Sequence, residues 1–309
     1  MKPIVVVGSL NIDLVVTAER YPSPGETLIG NSFEIFHGGK GGNQAAAIGR
    51  LGHPVTMIGK IGTDPFSANL LAHLNNVGVD TAGISQIDGS CGVAVIHRIK
   101  SGENSIVVVP GANHELCPSD MDSYQDVIAA AGMVLTQLET PLDTLEALCR
   151  MTSAAKVALM LDPAPAQSLT SSILEAADWV TPNEVEARHL TGIAIGDNFD
   201  EGIHLQVEAL LEMGAKNVLL KLGERGVLLA MSSGILERIP SWRVNVADTT
   251  GAGDVFNGAF ATELLHGRTA LEAARFACTA AALSVTHPGT DSMPTRDEVH
   301  EFLRERSNE

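Results

Sequence analysis

Short aliphatic runs alternate with helix-patterned segments along most of this chain, and that alternation leaves few folds open. "PIVVVG", ending at Gly8, has the unbroken apolar character of a strand buried on both faces. "GGNQAAAIGRLG" has the small, apolar content of a helix packed tightly on a sheet. "PVTMIGKIG" reads as a strand, and "DPFSANLLAHLNNVG" as a helix opening on Asp-Pro, a good start signal. Later, "MDSYQDVIAAAG" precedes "MVLTQLE", "PLDTLEALCRM" precedes "KVALMLDPAP", and "HLQVEALLEMG" precedes "NVLLKLGERGVLLAM". The closing third reads as helices over 252–266, 269–286 and 295–306. Repeated strand-helix units imply an α/β fold, with a mostly parallel central sheet flanked by helices.

Two segments, near 12–36 and 88–108, break the alternation. They carry strand after strand, punctuated by Pro22, Pro24 and Gly25, and are too short to be domains. They are expected to form one small β-sheet projecting from the body as a lid. The length of 309 residues suits a single α/β domain over 1–309 carrying these insertions.

Composition narrows the partners. A net charge of −17 disfavours nucleic acid or a membrane surface, because phosphate backbones need stripes of Lys and Arg. A small anionic ligand remains open, since it needs only a local nest of donors. The four cysteines, Cys91, Cys117, Cys149 and Cys278, form no CxxC and read as reduced thiols of a cytoplasmic protein. The aliphatic run before Gly8 is too short for a signal peptide, and no obvious membrane span is present.

Ligands of open parallel sheets bind beyond the carboxyl ends of the strands, so polar residues just after the aliphatic runs are the candidates. "GSLNID" puts Asn11 and Asp13 on one face if extended, suited to adjacent sugar hydroxyls or to an Asx turn. "GGKGGN" (38–43) offers Lys40 and Asn43 from a glycine-rich loop, which is either a ligand loop or a tight turn with a solvated lysine. It is not a Walker A loop, and Gln44 stands where a GxGxxG fingerprint needs its third glycine. Glu139, in "QLETP", either faces the cleft or supports the next helix through its dipole. Asp162 follows another strand. Asn183 and Glu186, in "TPNEVEA", form either a capping box or an outer-shell anchor for hydrated Mg²⁺. "KLGERG" is a hairpin turn or a nucleotide loop.

The strongest motif is "DTTGAGDVFNGAF" (248–260). Gly251-Ala252-Gly253 can aim consecutive amides at an anion from a helix N-terminus. Asp254 lies in the first turn, where the helix field favours its ionised form. A phosphoryl group on the amides and a hydroxyl on Asp254 make an in-line transfer arrangement.

Taken together, these motifs resemble the ribokinase and phosphofructokinase-B superfamily of carbohydrate kinases. The match runs in order through "GSLNID", "GGKGGNQAAA", "QLETP", "PNEVEA", "KLGERG", "DTTGAGDVFNGAF" and "HPGTDSMP". "GGKGGNQA" and "NID" follow the sugar-binding pattern of its ribokinase branch. The resemblance implies transfer of the ATP γ-phosphoryl to the 5-hydroxyl of ribose, with Asp254 as base and the amides of Gly251, Ala252 and Gly253 stabilising charge. It implies sugar contacts from Asn11, Asp13, Gly38, Gly39, Lys40, Asn43 and Glu139. Nucleotide contacts fall to Asn183, Lys221, Gly223, Gly226, Gly253 and Cys278, and Glu186 helps hold Mg²⁺ through water. Members activated by K⁺ have an ion site matched here by Asp248, Thr250, Ser284, His287, Gly289 and Ser292. Two places depart from the pattern: "GTDSMP" is a residue shorter than the usual form, and Cys278 stands where the adenine pocket commonly has Asn. Kinases for deoxyribose, fructose or a nucleoside are the alternatives, and a non-catalytic sugar-binding protein is a remote one. The absent GxGxxG disfavours an NAD enzyme. Exposed lid strands are expected to pair across a homodimer.

Overall fold

The computed structural model describes residues 1–101, 103–289 and 293–306. Among the described residues thirteen strands run in chain order: β1 (Ile4–Val7), β2 (Asn11–Ala18), β3 (Ser32–Gly38), β4 (Val55–Ile61), β5 (Val79–Gln86), β6 (Gly92–Ile99), β7 (Asn104–Val109), β8 (Met133–Thr136), β9 (Ala158–Leu161), β10 (Trp179–Val180), β11 (Asn217–Lys221), β12 (Val227–Met231) and β13 (Leu236–Ile239).

Nine of them form the central sheet, in the order β13-β12-β11-β10-β9-β8-β1-β4-β5. Every pairing from β5 to β11 is parallel, and β12 and β13 extend the sheet antiparallel. The aliphatic runs read as buried strands because alternate side chains feed two separate cores. Ile4 and Val6 of β1 pack with Met57, Leu135 and Phe260 on one face. Val5 and Val7 pack with Ile58, Val134 and Leu161 on the other. Among the described residues, no helix is long and apolar enough to cross a membrane.

The remaining four strands form a separate small sheet, in the order β3-β2-β6-β7. β2 pairs with β3 antiparallel and with β6 parallel, and β7 closes a hairpin with β6. Val15, Ala94 and Ile96 make a minor core on one side. Elsewhere the sheet leaves Phe33, Ile35, Val95, Ile106 and Val107 exposed.

Two helices position the chemistry. Lys40–Arg50 and Ala252–Leu265 lie against each other, and Gly258 is what lets them touch. A Cβ there would stand 3.0 Å from both Ala47 Cβ and Gln44 O. The contact brings Asn43 and Gln44 of the first helix within hydrogen-bond reach of Asp254 on the second.

Candidate active site

Asp254 is 5% exposed, in the first turn of helix Ala252–Leu265. Gly251 caps that helix at φ +74°, in the left-handed region that glycine tolerates best. Asn43 Nδ2 donates to Asp254 Oδ2 at 3.0 Å, and Gln44 Nε2 donates to Oδ1 at 3.2 Å. Burial pushes the Asp254 carboxyl up to about 6, with Asp162 adding to the rise; Lys40, Asn43 and Gln44 oppose it. The helix field alone favours the anion, but desolvation outweighs it here. A carboxylate that titrates near 6 suits a general base working near neutrality.

One end of the site carries the predicted sugar residues. Asn11 opens β2, and its Oδ1 accepts from Asn113 Nδ2 at 2.7 Å. Asn113 also accepts from Leu10 N at 2.8 Å, so the Asn11 amide is held with its own NH₂ left for a ligand. Asp13 lies against Gly38, where a Cβ would come within 2.2 Å of its carboxylate. Glu139 accepts from Ser9 Oγ and from the backbone N of Lys40, tying the glycine-rich loop to the end of β8. Lys40 is raised above its ordinary range: burial works against the ammonium, but Asp254, Asp162, Glu139 and Glu186 together outweigh it.

Burial, then Glu139 and Asp254, push Asp13 up to about 7, against Lys40. A raised carboxylate destabilises the fold progressively as pH climbs from the unfolded value near 3.8 to the folded value near 7. Asp13→Asn is therefore expected to stabilise the ligand-free protein by about 1–3 kcal/mol at pH 8 and negligibly at pH 3.5. Chemical denaturation at both pH values measures this, and an equal effect at both would remove the assignment.

The other end opens into a cleft of about 1140 Å³ reaching from Lys40 and Asp254 past Asn183, Glu186 and Lys221 to Gly223. Asn183 does cap helix Glu184–Thr191, and Glu186 answers it: Asn183 N and Nδ2 donate to the two Glu186 oxygens at 2.8 and 2.9 Å. The capping box and the cleft position thus coexist. Burial holds Glu186 above the usual carboxylate range; Lys221 opposes this and Asp162 adds to it. "KLGERG" is the β11–β12 hairpin turn and also lines the cleft. Gly223, Gly226 and Cys278 share a smaller recess of about 100 Å³. Burial pushes the Cys278 thiol up to about 12, so it presents a neutral surface there.

The Asp248 cluster differs from an open cation site. Its carboxylate accepts from Thr250 N and Oγ1 at 3.0 and 2.7 Å, from Gly289 N at 3.4 Å and from Arg98 Nη2 at 3.2 Å. Arg98 comes from β6 of the small sheet, and nothing in its local sequence marks it as a partner. Burial opposes ionisation of Asp248, yet the Thr250 bonds and Arg98 hold it below its usual range. Ser284 donates to Ala281 O within its own helix, and His287 is exposed beside Thr286. Ser292 lies outside the described residues.

Sequence reasoning also missed Asn113, Ser9 and Gln137. Gln44 it noted only as a missing glycine. Their roles come from partners 32 to 210 positions away.

Similarity to known proteins accords with this geometry. The family profile described as pfkB family carbohydrate kinase matches residues 1–296. The chain is 39% identical to the ribokinase of Haemophilus influenzae over 304 residues, covering 98% of each protein. It is 35% identical to a deoxyribokinase of Salmonella typhi over 303 residues, covering 97% of this chain and 98% of that one. Among solved structures, Arabidopsis thaliana ribokinase complexed with ribose and ATP superposes with a TM-score of 0.92 at 33% identity, over 98% of this chain and 99% of that one. The chain therefore belongs to the pfkB family of carbohydrate kinases.

Proposed function

We propose that this carbohydrate kinase is an ATP-dependent ribokinase, transferring the γ-phosphoryl group to the 5-hydroxyl of D-ribose to give ribose 5-phosphate. The observation that carries the reading is the position of Asp254. It lies between a pocket of sugar-type donors and acceptors and a cleft of nucleotide size, at the mouth of an amide nest. Asn11, Asp13, Gly38, Gly39, Lys40, Asn43 and Glu139 bind the sugar. Asn183, Lys221, Gly223, Gly226, Gly253 and Cys278 line the nucleotide path. The Asp254 carboxylate takes the hydroxyl proton as oxygen attacks phosphorus, and the Gly251–Gly253 amides hold the phosphoryl charge.

Buried carboxylates at Asp162, Glu186 and Asp254 line this cleft, with Lys40, Lys221, Arg225 and Arg243 as its cations. A triphosphate entering against that charge fits Mg²⁺, with Glu186 holding it through water. Bound Mg²⁺ supplies charge neutralisation to the phosphates. The K⁺ activation implied by the resemblance does not fit Asp248 while Arg98 is paired there, so no step passes through a monovalent ion. Arg98→Met opens the carboxylate, and its rate ratio in K⁺ over Na⁺ is expected to exceed the wild-type ratio at least threefold, about 0.7 kcal/mol. Equal ratios would remove the shielding role of Arg98.

The exposed apolar side chains of the small sheet support a homodimer formed through the lid, to be read by light scattering at micromolar concentration. The reduced cysteines support a cytoplasmic setting.

A panel assay of ATP consumption tests the whole reading, using ribose, 2-deoxyribose, fructose and nucleosides. Ribose is expected to give the highest kcat/KM. Preference for 2-deoxyribose would move the chain toward the deoxyribokinase relative, and no turnover with any member would end the kinase reading.

A further inference from the structure

Lys221, the last residue of β11, lines the cleft with its side chain 15% exposed and its ammonium beside the amide nest. A Cβ built on Gly253 would stand 3.3 Å from Lys221 Nζ, so the cation covers the second glycine of Gly-Ala-Gly. Nζ donates to Asp162 Oδ1 at 2.9 Å, with Asp162 2% exposed and Lys221 15%. Asp162 follows β9 directly, and its other oxygen accepts from Gln44 Nε2 at 3.1 Å. That same nitrogen reaches Asp254 Oδ1. Gln44 Oε1 in turn accepts from Gln137 Nε2 at 2.7 Å, which fixes the end of the amide that faces the carboxylates. One side chain, Gln44, thus links the base to the carboxylate that holds the cation.

Such an arrangement is costly unless it does something. A buried carboxylate and ammonium lose hydration that their attraction only partly returns. A lysine needed only to attract a nucleotide could work from the cleft rim on a flexible stem. Here the stem is pinned, and an ammonium has three donors of which Asp162 takes one. The others are available to oxygens of a group seated on the nest.

Resting on the ribokinase reading, we propose that Lys221 is a catalytic residue that touches the transferring phosphoryl group, and that Asp162, oriented by Gln44, is the positioning residue that holds it there. In the step, the attacking oxygen gives its proton to Asp254 and forms its bond to the γ-phosphorus. The bond from that phosphorus to the β,γ-bridging oxygen breaks, and its electron pair leaves on ADP. Lys221 transfers nothing and remains protonated throughout. Its charge meets the equatorial oxygens as negative charge spreads over them.

The test uses the full chain with Mg²⁺, its preferred sugar and ATP, and the variants Lys221→Met, Lys221→Arg and Asp162→Asn. Binding of ADP alone, and of ADP with aluminium fluoride and sugar, is measured beside kcat and KM. Lys221→Met is expected to lower kcat about 100-fold or more while changing ADP affinity less than about threefold. It also loses most of the added affinity for the aluminium fluoride complex. Lys221→Arg, which keeps the charge, recovers at least about tenfold of the lost kcat. Asp162→Asn is expected to lower kcat about tenfold with the sugar KM unchanged. It also moves the acid limb of the rate profile to lower pH, since a negative neighbour of Asp254 is gone while Lys40, Lys221 and Asp13 remain.

A Lys221→Met protein that binds ADP poorly but keeps its kcat would make Lys221 an ordinary nucleotide anchor and overturn the proposal. An unmoved acid limb in Asp162→Asn with unchanged kcat would overturn the positioning role. If Lys221→Met fails to fold, Lys221→Gln takes its place, and wild-type kcat with wild-type aluminium fluoride affinity in that variant would overturn the proposal. Wild-type turnover separates the two readings. An active wild type with an indifferent Lys221→Met sinks this inference alone, whereas an inactive wild type sinks the ribokinase reading with it.

Discussion

Asp254→Asn is expected to lower kcat by about 10³-fold or more while the protein stays folded and still binds sugar and ATP. The substitution keeps shape and volume and removes the carboxylate proposed to take the hydroxyl proton. It also leaves one of the two inward donors, from Asn43 or Gln44, facing an NH₂ in place of an oxygen. That mismatch costs about 1–3 kcal/mol and is offset in part by removing a buried charge. The net stability change is therefore small beside the loss of rate. The wild type has a second signature. A base must be ionised to act, so the rate rises with pH through about 6, where burial has pushed the Asp254 carboxyl. Below that value the carboxyl is protonated and turnover falls. Asp254→Asn loses this limb along with the rate. Activity within tenfold of wild type, or a variant that keeps the limb near pH 6, would mean that another group is the base. Calorimetric titration with sugar guards against misreading a folding defect as a chemical one.

How much of this was legible beforehand depended on range. The parallel sheet was readable because β1, β8 and β9 are buried on both faces and therefore stand out as aliphatic runs. Each motif then followed a run, so the rule that ligands bind beyond carboxyl ends brought Asn11, Glu139, Asn183 and Gly251 toward one rim. The alternatives left open at single motifs mostly described the same atoms from two sides. Asn183 and Glu186 cap a helix and also face the cleft. Illegible were the contacts that carry no local pattern. Arg98 reads as an ordinary residue on a lid strand, yet it meets Asp248 across 150 positions. Gln44 and Gln137 lie on buried faces where polar types signal only that some partner exists. The upward push of burial on the Asp254 carboxyl is hidden from the sequence for the same reason. The helix field is a local property visible in sequence, whereas desolvation belongs to the assembled pocket.

Gly39→Ala is expected to cost about 3 kcal/mol or more of stability and to raise the sugar KM about 100-fold, with ATP affinity little changed. Two independent obstacles meet at this position. The backbone sits at φ +84° and ψ +125°, a conformation closed to residues with a side chain except at considerable strain. The added carbon would also stand 2.6 Å from Asn11 N, 2.8 Å from Ser9 O and 2.9 Å from Leu10 Cα. All three are backbone atoms, of the β1–β2 connection and the first residue of β2, so no rotamer change makes room. Either the glycine-rich loop lifts off or that connection shifts, and both motions separate Lys40 and Asn43 from Asn11 and Asp13. The sugar pocket then opens by a fraction of an ångström or more, while the Gly251–Gly253 nest, borne on the other helix, stays intact. Gly52→Ala supplies the control. Gly52 has φ +76° but nothing within 4 Å of an added Cβ, so strain acts there without collision. Its expected cost is about 1 kcal/mol, with sugar KM unchanged. Thermal denaturation and steady-state kinetics on both variants separate strain from collision. A Gly39→Ala protein no less stable than Gly52→Ala, with wild-type KM for sugar, would show that the close approach of this loop to β2 does not build the sugar pocket.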